Sequence, residues 1–384
     1  MEDYSDIRPY VDSEVVEGFE TLIKDDEFIK VLRHFKPLLP PFVIRTMLKT
    51  KMHGISTVLD WQKHFIYPQV KRLMKRISQG YSLTLPMQFD MQANHTFLSN
   101  HRDIVLDSAL LDVLFIDNGF RSTAQIAIGD NLLIKPWIKT LVRLNKAFIV
   151  QRSLPVREAL KASMHMSEYM HHVMANTPDN IWIAQREGRA KDSSDKTQEA
   201  VLKMMTLGGE GTVVERLKAM RIVPTTISYE YDPCDYLKAK EFQLKRDHAD
   251  YTKTKKDDMD NMRVGILGQK GRVRYICAPC INTWLDELAE LPRSEFFAEV
   301  CRRIDNEIHR RYLLFPINYV CADMLQGDKQ YGVYYSKEQQ QQVEQYINSR
   351  IQLVDLPNRD DAFIRERILT MYANPVYNKA KAMA

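Results

Sequence analysis

The segment Asn100-His101-Arg102-Asp103-Ile104-Val105-Leu106-Asp107 sets an imidazole at the mouth of an apolar stretch, with two carboxylates close enough along the chain to orient it. A histidine that takes a proton from an alcohol needs its second ring nitrogen held by an acceptor. That bond fixes the tautomer and stabilises the imidazolium that forms. Either Asp103 or Asp107 could supply it. The plainer alternative is that Asp103 caps a helix and His101 is an ordinary surface residue. An ideal helix turns about 100° per residue, so the six steps from His101 to Asp107 leave the two side chains about 240° apart. They can pair only if His101 sits in the turn before the helix.

Further polar groups follow in a fixed order: Gly129-Asp130-Asn131-Leu132, then Phe148-Ile149-Val150-Gln151-Arg152-Ser153, then Ile181-Trp182-Ile183-Ala184-Gln185-Arg186-Glu187-Gly188-Arg189, then Ile222-Val223-Pro224-Thr225-Thr226-Ile227-Ser228-Tyr229-Glu230. Over roughly residues 95–280 this series resembles the four blocks of the glycerolipid acyltransferase superfamily, which includes glycerol-3-phosphate and lysophosphatidic acid acyltransferases. It is most similar to the glycerol-3-phosphate branch, whose members carry a Gly-x-Asn-Leu segment running into an Arg-Ser and a Pro-x-x-Ile-x-Tyr-Glu strand. Two departures touch chemistry. The family separates its catalytic His and Asp by four residues, whereas five lie between His101 and Asp107; and its third block reads Glu-Gly-x-Arg, whereas Glu187, Gly188 and Arg189 are contiguous. Arg186 could supply a guanidinium that the family takes from elsewhere.

The resemblance implies acyl transfer from a thioester to an alcohol, with acyl-CoA or acyl carrier protein as co-substrate, a glycerol-phosphate-type acceptor and no metal or other cofactor. His101 would be the base. Asp107 would orient it, since Ser108 to Leu111 continue as the family helix does, with Asp103 as the rival. Arg152, Glu187, Gly188 and Arg189 would hold the acceptor's phosphate, Gly188 letting the backbone approach and the guanidinium offering a bidentate fork. Arg152 as a surface residue, and Glu187 paired locally with Arg189, are the structural alternatives. A non-catalytic lipid- or carrier-binding relative, favoured by the altered spacing, and an acyl-thioester hydrolase are the rival functions.

These groups must be positioned by an α/β fold, a glycerol-3-phosphate acyltransferase-like sheet layered by helices, with helical N-terminal and C-terminal additions. Residues 1–88 read as helical, punctuated by Pro37, Pro40-Pro41, Gly54 and Gly80. Residues 89–285 form the α/β domain: apolar runs at Ala124–Ile128, Ala147–Val150, Ile181–Ala184, Ile222–Ser228 and Val273–Ala278 alternate with helical patterns such as Pro155–Ala175. Residues 286–384 predict helices over Glu295–Arg310, Lys337–Leu353 and Asp360–Met371. The lysine-rich run Leu237–Asp260 carries charges of both signs and little apolar content, and reads as an exposed helix or a mobile excursion. Met164, Met166, Met170 and Met174 recur at helical spacing and read as core rather than as an acyl channel.

At 384 residues, 45% hydrophobic and 27% charged, the chain can bury a sizeable core, which excludes a disordered protein. No apolar run approaches a membrane span, and Met1-Glu2-Asp3-Tyr4 lacks the basic and apolar regions of a signal peptide. Cys234, Cys277, Cys280, Cys301 and Cys321 are few and odd in number, which points to reduced thiols; Cys277-Ala-Pro-Cys280 has zinc-knuckle spacing but no second Cys/His pair to match. Charge is segregated. Ten acidic side chains within residues 2–27 face Arg8 and Lys24, whereas residues 28–77 hold eleven Lys and Arg against Asp60 alone. Bulky apolar residues interleave with those cations, a mixture that settles on anionic lipid headgroups or, alternatively, a helical layer whose stripe packs inward beneath solvated lysines. No nucleic-acid motif accompanies it. The expected protein is cytoplasmic, peripheral to the inner face of the cell membrane, with an anionic membrane surface as a partner.

Overall fold

The five apolar runs are all strands in the computed structural model, which describes residues 3–35, 38–152 and 154–384. Met1, Glu2, Lys36, Pro37 and Ser153 lie outside the described residues, and with them parts of the acidic start and the basic segment and the serine after Arg152. The strands are β1 (Ser78–Thr84), β2 (Thr96–Ser99), β3 (Ala124–Gly129), β4 (Ala147–Val150), β5 (Asn180–Ala184), β6 (Ile222–Tyr229) and β7 (Gly271–Cys277), in one sheet of order β1-β7-β6-β2-β5-β3-β4. β4, β3, β5, β2 and β6 run parallel; β7 is antiparallel to β6 and parallel to β1. Helices cover both faces, so the inner strands are buried on both sides and read as continuous rather than alternating apolar runs. β6 is buried at all eight positions.

One face packs Phe97, Leu111, Phe115 and Trp182 beneath the helices Tyr67–Ile77 and Leu106–Asp117. The other packs Leu98, Phe148, Ile181 and Ile222 against the helices Val156–Asn176 and Arg293–Arg310. Met166, Met170 and Met174 belong to that second core, while Met164 is exposed. The last three helices, Pro316–Gln326, Lys337–Gln352 and Asp361–Met383, form a separate cluster around Ile317, Ile347 and Ile368.

Two readings change and one helix is added within the region read as helical. The N-terminal stretch read as helical ends in β1, an edge strand of Ser, Gln and Gly whose register shifts between Ser78 and Tyr81 where Gly80 adopts φ +108°. The helix Pro316–Gln326 was not anticipated. Leu237–Asp260 divides: in the helix Asp235–Asp247, Lys238 is buried on Asp232, Glu241 holds Lys191, and Gln243 donates to the Asn358 carbonyl at 2.7 Å, whereas Lys245, Arg246, Asp247, His248 and Asp250 are exposed as expected. Paired charges pack where their composition reads as solvated.

The basic N-terminal segment divides. Ile44, Leu48, Trp61 and Phe65 join Val15, Phe19 and Leu22 in a buried layer, and Arg45 and Lys71 are engaged by Asp26 and Asp117. Lys30, Arg33, Lys49 and Lys51 remain exposed, as do Leu38 and Phe42. Among the described residues no helix is long and apolar enough to cross a membrane.

Candidate active site

Because β2 to β6 are parallel, the loops that leave them gather at one edge of the sheet, where open α/β folds bind ligands. Asn100 leads the first loop. Its carboxamide makes two hydrogen bonds with the backbone of Ile227 on β6, at 2.7 and 2.9 Å, which fixes the turn after β2. His101 sits in that turn, before the helix Leu106–Asp117 begins. The turn absorbs the extra residue: His101 Nδ1 lies 2.7 Å from Asp107 Oδ2. That same oxygen accepts the backbone N–H groups of Arg102, at 2.6 Å, and Asp103, at 3.0 Å. With Nδ1–H directed to a carboxylate, Nε2 is the acceptor.

Asp103 has a different task. Its Oδ1 accepts from the N–H groups of Val105 and Leu106 at 2.9 Å each and so caps the helix, while Oδ2 faces the buried Lys270 at 3.8 Å. Burial pushes the Asp103 carboxyl up and the Lys270 ammonium down from their ordinary ranges, each opposed by the other's charge. The pair of candidate carboxylates thus divides into a cap and a histidine partner.

The third-block loop is fastened to this turn by a buried ion pair. Arg102 reaches Asp195 at 2.5 Å and Ser193 Oγ at 2.7 Å, and the Tyr312 hydroxyl donates to Asp195. In the same loop Gly188 adopts φ +66°, the left-handed region that glycine enters without cost. Arg152 is exposed, as in the surface alternative, and stands 3.6 Å from Glu187; no ion pair joins Glu187 to Arg189 among the described residues. Gly129 lets Arg152 fold over the end of β3, since a Cβ there would lie 3.0 Å from Arg152 Nε. Arg189 donates to Asn261 at 3.0 Å, while its other terminal nitrogen is buried without a partner among the described residues.

His101, Arg152, Arg186, Glu187, Gly188 and Arg189 all line one cavity of about 550 Å³. Ile104, Gly129, Asn131, Leu132 and Trp182 of the same sequence blocks line it too, whereas sequence reasoning missed two further walls. Lys253, Asp258 and Met262 come from the run dismissed as solvated and the helix after it; Ile138, Leu141 and Val142 come from the helix Pro136–Leu144. Beside the charged rim the cavity is lined by Val105, by Ala109, Val113 and Ile116 of the helix Leu106–Asp117, and by Ile126 of β3, an apolar limb. The only sequence signal was the i, i+4 spacing of small and branched residues after Asp107.

On the helical wall of that limb, burial pushes the Asp112 carboxyl up to about 7. A carboxyl whose folded pKa exceeds its unfolded value favours folding while protonated. That contribution is full below about pH 4 and is lost as pH rises towards 7. Across this window the stability of the wild type should fall relative to Asp112→Asn by up to about 4 kcal/mol, measured by urea midpoints at each pH. Parallel curves for the two proteins would contradict the placement of this carboxyl.

No family model and no curated protein match the chain. Among solved structures, the 1-acyl-sn-glycerophosphate (LPA) acyltransferase PlsC from Thermotoga maritima is similar over 75% of this chain and 92% of that one, at 11% identity and a TM-score of 0.33. A likeness of that degree leaves the chemistry to be argued from the side chains.

Proposed function

We propose that this chain is an O-acyltransferase that moves a fatty acyl group from a thioester of CoA or acyl carrier protein to a hydroxyl of a glycerol-phosphate or lysophospholipid-type acceptor, a step of phospholipid biosynthesis. The supporting observation is the His101–Asp107 pair at 2.7 Å, set at the junction of a guanidinium rim and an apolar limb in one cavity. The limb suits an acyl chain and the rim a phosphate; the imidazole stands between them. His101 Nε2 takes the acceptor's hydroxyl proton as its oxygen attacks the thioester carbonyl. The tetrahedral intermediate collapses, the C–S bond breaks, and the imidazolium returns the proton to the departing thiolate. Asp107 holds the ring and stabilises the imidazolium. The spacing that would favour a non-catalytic relative is accommodated by the turn before the helix.

Arg189 carries the free N–H, and Arg186 and Arg152 complete the rim. Arg189→Ala should raise the Michaelis constant for a phosphate-bearing acceptor about tenfold or more while sparing donor binding, and Arg189→Lys should recover it only in part because it lacks the planar fork. Acceptor titrations unchanged in Arg189→Ala and Arg186→Ala would exclude the phosphate assignment.

For the membrane, we place docking on Lys30, Arg33, Lys49 and Lys51 with Leu38 and Phe42, at the cytoplasmic inner face; each cation near an anionic surface contributes about 1 kcal/mol. The protein should sediment with anionic vesicles and release as salt shortens the Debye length. Equal sedimentation with neutral vesicles would remove this part of the reading.

A further inference from the structure

The apolar limb also carries a cluster of polar side chains. Its floor lies at the edge of the sheet opposite His101: Gln62 and Asp112 meet Thr123 and Ala124 at the start of β3, and Asn145 stands just before β4. Six residues of β3 separate this floor from the rim, about 16 Å at the rise of a strand. Gln62, Asp112 and Asn145 all line the cavity, and the first two are nine-tenths or more buried. Asp112 Oδ1 accepts from the Ala124 N–H at 2.8 Å and Oδ2 from the Gln62 carboxamide at 3.2 Å. Each oxygen keeps a lone pair after its one donor. Asn145 accepts from the Trp61 indole at 3.1 Å and donates to the Leu141 carbonyl at 3.1 Å, which leaves one of its N–H groups over.

A purely apolar chain seated here would press its end against a carboxyl and two carboxamides, each already hydrogen-bonded within the protein, and could use none of their remaining lone pairs or the spare N–H. A hydroxyl at that depth would donate to an Asp112 oxygen and accept from the Asn145 N–H. We infer that the limb selects acyl chains carrying a hydroxyl group on their distal part, with Gln62, Asp112 and Asn145 as the residues that read it. This rests on the acyl-transfer reading for the identity of the substrate, not for the chemistry of the floor.

The test is calorimetric binding of two free fatty acids of equal length, one hydroxylated near its far end and one unsubstituted, to the whole chain and to His101→Ala. The hydroxylated acid should bind about tenfold more tightly to both proteins, since a site that hydrogen-bonds a hydroxyl discriminates against a ligand lacking it. In Asp112→Asn the preference should shrink at least threefold; Asn145→Ala, which leaves the Asp112 bonds in place, supplies the same comparison should the first variant fold poorly. Equal or weaker binding of the hydroxylated acid, or no binding of either, overturns the inference. The binding preference is read without turnover. Its persistence in a wild-type chain that transfers no acyl group to any acceptor would overturn the acyl-transfer reading and leave the floor's selectivity standing.

Discussion

Replacing His101 by alanine should lower acyl transfer by about 10²–10⁴-fold while the protein keeps its fold, because in the proposed mechanism the imidazole moves the proton, and the ring stands at a cavity wall rather than in the core. It is partly exposed at the cavity wall and meets Trp182 edge to face at a centroid distance of 5.4 Å. Asp107→Asn should cost nearly as much. Its Oδ2 gathers the ring nitrogen and two backbone N–H groups, and an amide there cannot balance the imidazolium. Asp103→Asn should leave the rate much closer to wild type, since that side chain caps the helix and faces Lys270 instead. Rates measured beside circular dichroism spectra decide this ranking. A folded His101→Ala that keeps more than about a tenth of the activity would remove the imidazole from the mechanism.

The second large effect is on stability. Arg102 and Asp195 are 6% and 1% exposed, so removing either partner strands a charge with no water to take it. Arg102→Ala should destabilise the protein by about 3–5 kcal/mol in urea titration. The double variant Arg102→Ala/Asp195→Ala should lose less than the sum of the two single losses, because the pair then leaves together. The His101 turn and the Gly188 loop are joined through this contact, so activity in Arg102→Ala should fall at temperatures where the protein is still mostly folded. Additive losses in the two single variants would show that the contact does not couple the loops.

These residues also show what could be read from the chain alone. The runs that became β3 to β7 were legible because strands buried on both faces are short, apolar and bounded by turns. β2 was not: Thr96-Phe97-Leu98-Ser99 is four residues long, and nothing local distinguishes it from a loop. β1 was hidden by its exposed edge composition, and the reversal of β7 against β6 is a pairing that periodicity does not encode. The condition that His101 precede its helix followed from helix geometry, and the structure places it there. The division of labour between Asp103 and Asp107 did not follow, since both lie within reach and only the backbone of the turn separates a cap from a partner. The buried charges Arg102, Asp195, Lys238 and Lys270 look like surface residues in sequence because their partners are contributed by distant segments or by a turn whose shape the sequence does not display. Likewise the cavity walls Lys253 and Asp258 come from a run whose composition predicted solvent.

The central claim is that an alcohol, not water, receives the acyl group at His101. Consumption of an acyl thioester, followed by thiol release with and without glycerol 3-phosphate or a lysophospholipid, tests it most directly. Thiol should appear only with the acceptor present, in step with a new ester, and should vanish in His101→Ala. Thiol release at the same rate without any acceptor would make the protein a hydrolase, and no release with either acceptor would make it a binding protein.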